Sequence, residues 1–218
     1  MIESFPSAAE AADVAAAQIV AQLQHALSAG RRASFVATGG RSPGPVYDRL
    51  SATRIDWTRI TVTVSDERCV TTDAPESNAG PVRQRLLRGP AAAAGFLPLW
   101  PAPDSEALAV LQPFDVVMLG MGEDGHIASL IPGDPGLEDA LTTADLIRPV
   151  PAGLGKPPVA RITLTLSALA NARAIFLLIS GETKRQVIQR ALTGGNLPVA
   201  RLFSKTKATV RILWSPEA

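Results

Sequence analysis

The amino-acid sequence predicts an α/β protein, a mainly parallel sheet flanked by helices. Short β-branched or apolar runs alternate with helical stretches along the whole chain. Several runs are continuous rather than alternating, as strands buried on both faces are. The glycine-rich and charged segments fall just after those runs, at the strand ends where ligands bind in such sheets.

The elements follow in order. Residues 7–29 are rich in Ala, Gln and Leu, with Val14, Ile19, Val20, Leu23 and Leu27 at helical spacing, so a first amphipathic helix is expected to stop at Gly30. Strands are expected at 34–38, 60–64, 114–119, 162–166, 175–180 and 209–213, and helices at 46–50, 78–87, 105–111 and 182–192. Gly and Pro cluster at 39–45, 88–103, 131–136 and 149–158. Each cluster is short and lies inside one continuing pattern, so these read as loops within a single domain spanning 1–218.

Composition excludes several classes. The 218 residues carry 21 Lys plus Arg against 20 Asp plus Glu, a net charge of +1, so no global attraction to nucleic acid or an anionic membrane is expected. A hydrophobic content of 46% is ample for a core and excludes disorder. The single cysteine, Cys69, excludes an internal disulfide framework or a multi-cysteine metal site and fits a reducing cytoplasm. The opening Met1-Ile2-Glu3, with no basic residue before Arg31, predicts no signal peptide. No apolar run approaches the roughly 18 residues that span a bilayer.

Five segments carry chemistry. Phe35 to Pro43 runs a strand into Thr38-Gly39-Gly40-Arg41-Ser42 and then a helix. Paired glycines let backbone amides approach a ligand, and the helix start adds a positive dipole end, which together make an anion cradle; the alternative is a tight strand-to-helix turn. Asp66-Glu67-Arg68-Cys69 follows the next strand, with Ser77-Asn78 opening another helix. The planar fork of Arg68 suits a phosphate monoester held by a neighbouring carboxylate; the alternative is a solvated surface cluster. Cys69 has no His or second Cys beside it in sequence and reads as a small buried residue rather than a nucleophile.

The third segment is the most informative. A buried strand from Phe114 empties into Gly120-Met121-Gly122-Glu123-Asp124-Gly125-His126. The chain has 2 histidines; His25 lies on the first helix among Ala and Gln, so His126 is the plausible imidazole catalyst. Asp124 is placed to orient its ring, and a helix beginning near His126 would favour the neutral form that a base needs. The remaining two segments, Gly155 to Thr165 and Ile179 to Lys184, set Lys156, Arg161 and Lys184 near strand ends or a helix start. With the glycine cradle and Arg68, these could converge on one dianion.

Taken together, these segments resemble the 6-phosphogluconolactonase family across nearly the whole chain. Thr38-Gly39-Gly40, Asp66-Glu67-Arg68, Ser77-Asn78, Leu119 to His126, Arg161 to Leu164 and Gly181 to Lys184 carry the resemblance, with Gly122-Glu123-Asp124-Gly125-His126 its most specific part. The resemblance implies a Rossmann-like fold of the sugar-phosphate isomerase type, shared with glucosamine-6-phosphate deaminases. It also implies hydrolysis of 6-phosphoglucono-δ-lactone to 6-phosphogluconate in the pentose phosphate pathway, without a cofactor. His126 matches the catalytic histidine, Arg68 a phosphate-contacting arginine, and Lys156, Arg161 and Lys184 further basic positions. Arg41, where the family commonly has a small hydroxyl residue, is a departure that adds a cation or turns its side chain outward.

The candidate site is then His126 and Asp124 for catalysis, with Thr38, Gly39, Gly40, Ser42, Asp66, Arg68, Lys156, Arg161 and Lys184 for binding and no metal. The expected partner is a small-molecule sugar phosphate, with no nucleic acid, membrane or obligate protein partner. Two rivals use the same fold. An amino-sugar phosphate deaminase would use Asp66 as a carboxylate base, but the deaminases resemble Asp-Glu-Tyr where this chain has Asp66-Glu67-Arg68, and Phe-Asn-Glu where it has Ser129-Leu130-Ile131. A non-catalytic sugar-phosphate sensor would need a DNA-binding module, for which neither flank of the fold leaves room.

Overall fold

The computed structural model describes residues 1–40 and 42–217. Its elements are β1 (Ile2–Ser4), α1 (Ala8–Ser28), β2 (Ala33–Ala37), α2 (Gly44–Ser51), β3 (Ile60–Val64), β4 (Asp66–Arg68), α3 (Ala79–Pro81), β5 (Gly95–Phe96), α4 (Ser105–Val110) and β6 (Phe114–Gly120). There follow α5 (Leu137–Thr142), β7 (Ile147–Val150), β8 (Arg161–Leu164), α6 (Leu166–Ala170), β9 (Ala172–Ser180), α7 (Glu182–Leu192), α8 (Pro198–Lys205) and β10 (Thr209–Ser215).

Seven strands form one sheet in the order β1-β10-β9-β6-β2-β3-β5, and every neighbouring pair is parallel. Its central strands are apolar on both faces: all of β2, and Phe114 to Leu119 of β6, are buried. Helix α1 packs on β2, β6, β9 and β10 and α7 on β9, and the burial of both alternating sets of side chains shows that neither face of the central strands meets water. The α/β expectation is met by that arrangement.

Local chemistry explains the first helix. Ser7 caps α1, its hydroxyl accepting from the Glu10 N–H at 3.2 Å, while Ala11, Ala12, Ala15, Ala16, Ile19, Leu23 and Ala26 form the buried face. Alanine dominates that face, so α1 lies close on the sheet, and Val14, Val20 and Leu27 pack at its margins. Gly30, at φ +76°, takes the left-handed conformation that ends the helix.

Chain order along the sheet reverses between β2 and β6. From β2 the chain builds outward through β3 and β5, then returns to β6 on the other side of β2 and continues to β9 and β10. Such a reversal opens a crevice at the carboxyl ends of the two central strands. Thr38-Gly39-Gly40 follows β2, and Met121 to His126 follows β6.

A second sheet, β4-β8-β7, is antiparallel. The run expected at 162–166 is therefore not a strand of the main sheet: β8 spans Arg161–Leu164 and pairs with β4 and β7, and Leu166 already begins α6. The helix expected at 78–87 is also divided. Ala79–Pro81 is α-helical and Val82–Leu86 widens into a π turn.

Candidate active site

The crevice is built first by backbone anchors. Thr38, at the end of β2, is tied to α2 through Tyr47, whose phenol accepts from the Thr38 N–H at 2.9 Å and donates to the Thr38 carbonyl. Burial pushes the Tyr47 phenol well above its ordinary value, so it remains a neutral hydrogen-bonding post. Gly39 then passes against Asn78 so closely that a Cβ there would lie 1.8 Å from Asn78 Oδ1. Only glycine permits that contact.

Asn78 is itself held by the β4 segment, its Nδ2 donating to the Asp66 carbonyl at 2.8 Å. Beneath it, Glu67 is buried and accepts from the N–H groups of Arg68, Asn78 and Ala79, each at 2.7 Å, and from the Ser77 hydroxyl at 3.1 Å. This one carboxylate joins β4 to the start of α3. Glu67 thus places both Arg68 and Asn78, although its side chain does not line the crevice.

The loop after β6 folds on itself. The Gly122 N–H donates to the His126 carbonyl at 3.0 Å, and the Gly125 N–H to the Gly122 carbonyl at 3.1 Å, with Gly125 at φ +81°. Asp124 Oδ1 accepts from the His126 N–H at 3.2 Å and lies 2.6 Å from His126 Nδ1. A carboxylate at that distance holds the proton on Nδ1 and leaves Nε2 as the bare nitrogen. The expected helix start near His126 is absent; a tight Ile127–Leu130 bridge follows instead, with Ala128 at φ +50°. The orienting group is therefore the Asp124 carboxylate rather than a helix dipole.

Gly122 is required by this geometry. A Cβ there would lie 2.2 Å from His126 Cε1 and 2.5 Å from Asp124 Oδ1. Gly122→Ala should therefore displace the imidazole while leaving the buried strands intact, with a loss of about 10²-fold in kcat. Steady-state kinetics beside a thermal melt would check this; an active Gly122→Ala protein would show that the ring position is not critical.

The basic side of the crevice lies on the small sheet. Arg68 and Arg161 stand directly opposite each other in the β4–β8 register. Arg161 is buried, and the Arg161 guanidinium is pushed below its ordinary value first by burial and then by the nearby charge of Arg68. Among the described residues neither guanidinium forms an ion pair with a carboxylate; they donate instead to the carbonyls of Glu76 and Pro157 and to the Ser129 hydroxyl. Asp66 is close but committed, Oδ1 accepting from Ser65 at 2.8 Å and Oδ2 from Ser129 at 2.6 Å.

These loops enclose a cavity of about 730 Å³. Thr38, Gly39, Gly40, Ser42, Asp66, Arg68, Asp124, His126, Lys156, Arg161 and Lys184 all line it, so the structure brings every candidate named from the sequence to one place, with Arg41 lying outside the described residues. Sequence reasoning did not find the parts played by Tyr47, Glu67 and Ser129. Tyr47 is the only tyrosine in the chain, and that was the one available signal. His25 is exposed on α1. Cys69 is only partly buried, a correction to the expectation of a buried residue, because it lies just beyond the end of β4; burial and the Glu67 charge still push the thiol up, away from a reactive thiolate. Among the described residues no three His, Cys, Asp or Glu side chains converge as a metal-ligand set.

The fold is thus a parallel α/β enzyme scaffold whose crevice, at the point of strand-order reversal, holds a carboxylate-bound histidine on one loop and paired arginines on the small sheet. The chain belongs to the family described as glucosamine-6-phosphate isomerases/6-phosphogluconolactonase, which it matches over residues 6–214. Within it, the chain is 40% identical to the 6-phosphogluconolactonase of Caulobacter vibrioides, over 98% of this chain and 97% of the relative. It is 39% identical to that of Pseudomonas aeruginosa, over 99% and 94%. The crystal structure of a 6-phosphogluconolactonase from Shewanella baltica superposes with a TM-score of 0.89 at 36% identity, covering 99% of this chain and 97% of that one.

Proposed function

We propose that this protein hydrolyses 6-phospho-D-glucono-1,5-lactone to 6-phospho-D-gluconate, the lactone-opening step of the pentose phosphate pathway. The observation that carries this reading is the Arg68–Arg161 pair, two like charges directly across a strand register that, among the described residues, form no ion pair with a carboxylate, Asp66 being near but held by hydroxyls. Such a pair is self-repelling until an anion lies between its members. The 6-phosphate supplies that anion, Lys156 and Lys184 add charge from the rim of the same cavity, and the bound phosphate fixes the sugar ring.

A δ-lactone is an activated ester, so opening it requires a positioned water, a base and donors for the developing oxyanion. His126 Nε2 takes a proton from water as its oxygen attacks C1. The tetrahedral intermediate then collapses, the bond from C1 to the ring oxygen breaks, and the imidazolium returns the proton to that oxygen. Asp124 stabilises the imidazolium between the two steps, and backbone amides of the glycine loops serve the oxyanion. Asp66 is ill suited to shuttling a proton between sugar carbons, because both its oxygens are occupied by hydroxyl donors. The lone cysteine fits a cytoplasmic setting, and among the described residues no helix is long and apolar enough to cross a membrane.

The purified protein should open the lactone faster than its spontaneous rate in metal-free buffer. Ammonia release from glucosamine 6-phosphate, or phosphate-ligand binding without turnover, would overturn the reading. Arg68→Ala should lower the preference for the phosphorylated lactone over plain gluconolactone by about 1–3 kcal/mol, the worth of a charge-assisted contact. Equal ratios of the two kcat/KM values in parent and variant would remove Arg68 from the phosphate site.

A further inference from the structure

The opposite end of the main sheet holds a second cavity, of about 840 Å³. It lies where Ala33 begins β2, Pro113 precedes β6 and Arg173 lies near the start of β9, at the amino ends of strands whose carboxyl ends carry the catalytic loops. Its walls differ in character. One is apolar, formed by Phe96, Leu97, Val110, Leu111 and Pro113, with Val110 84% exposed.

The facing wall is cationic. Arg31, Arg32 and Arg173 line it with a single acid, Asp115, which is buried and contacts Arg31 and Arg173. Asp115 is shared: Oδ1 lies 2.9 Å from Arg31 Nη1 and 3.3 Å from Arg173 Nε, close enough for ion pairs but without a well-aligned hydrogen bond, and Oδ2 accepts from the Ser34 N–H at 3.0 Å. One carboxylate thus orients two guanidiniums but neutralises only one charge. Among the described residues neither Arg31 nor Arg173 has a second ion-pair partner. Their other N–H groups face solvent and are open to a ligand.

We propose that this cavity binds a small amphiphilic anion, a carboxylate or sulfonate head on an apolar body. The excess of positive charge attracts the head, for which a guanidinium fork is geometrically suited, and the apolar wall buries the body. A bare phosphate would leave that wall unused, and the volume suits a single small molecule.

The test is isothermal titration of the full chain with 1-naphthalenesulfonate, beside the neutral 1-naphthalenemethanol. The sulfonate should bind with 1:1 stoichiometry and at least ten-fold tighter than the alcohol, and 6-phosphogluconate should not displace it. Arg173→Ala and, separately, Val110→Asp should each weaken the sulfonate at least ten-fold without moving the melting temperature by more than a few degrees. Val110 is exposed and Arg173 half-exposed, and Arg31 remains paired with the buried Asp115 in the Arg173→Ala protein, so the core keeps its contacts. Equal binding of acid and alcohol, unaltered affinity in both variants, displacement by 6-phosphogluconate, absence of binding, or sedimentation as a dimer that Val110→Asp dissociates would each overturn the proposal.

Discussion

His126→Ala is expected to lower kcat for lactone hydrolysis by about 10²- to 10⁴-fold, the usual worth of a positioned general base. Affinity for 6-phosphogluconate should change little, because the proposed phosphate site lies on the small sheet, away from the His126 loop. The reason for expecting kcat rather than KM to move lies in the Asp124 contact: with Nδ1 engaged at 2.6 Å, Nε2 is the free nitrogen of a half-exposed ring in a shared cavity. Single-turnover kinetics with a separate titration of product binding would check both points. Parent-like turnover in His126→Ala would mean that another group activates the water.

Glu67→Ala should destabilise the fold by about 3 kcal/mol, through donors that lose a charged acceptor in a site water does not reach. The backbone N–H groups of Arg68, Asn78 and Ala79 and the Ser77 hydroxyl all converge on this carboxylate. Glu67→Gln should rescue only part of the loss, since its amide N–H₂ would face donors where an oxygen now accepts. Urea denaturation would measure the change. Whatever fraction remains folded should also discriminate poorly between phosphorylated and plain lactone, because Arg68 and Asn78 are placed by this anchor. A Glu67→Ala protein as stable as the parent would show that the network is not cooperative.

Much of the fold and site was legible in order along the chain. The continuous apolar run of β6 announced a strand covered on both faces, and the glycines and carboxylates that follow it announced a loop at its end. The glycine after β2 was legible as a close approach, though not that Asn78 is what it approaches. Glu67 was not legible as an anchor, because an acid between Asp66 and Arg68 looks the same in sequence whether it faces solvent or gathers N–H groups from a segment ten residues on. The 162–166 run had the composition of a core strand, and only its antiparallel pairing with β4 and β7 removed it from the main sheet.

What the sequence alone determined was the alternation of strand and helix, the position of the reactive loops just beyond the strands, and the identity of the one imidazole in such a loop. These depend on periodicity, helix and strand preference and glycine's backbone freedom, which act between residues close together in the chain. The tertiary structure alone decided that Arg68 faces Arg161, that Asp66 is bound by Ser65 and Ser129, and that Arg31 and Arg173 share Asp115 at the far end of the sheet. Those relations arise from strand register and sheet order, fixed by hydrogen bonds and packing between distant segments, and no local pattern encodes which charge will stand opposite which.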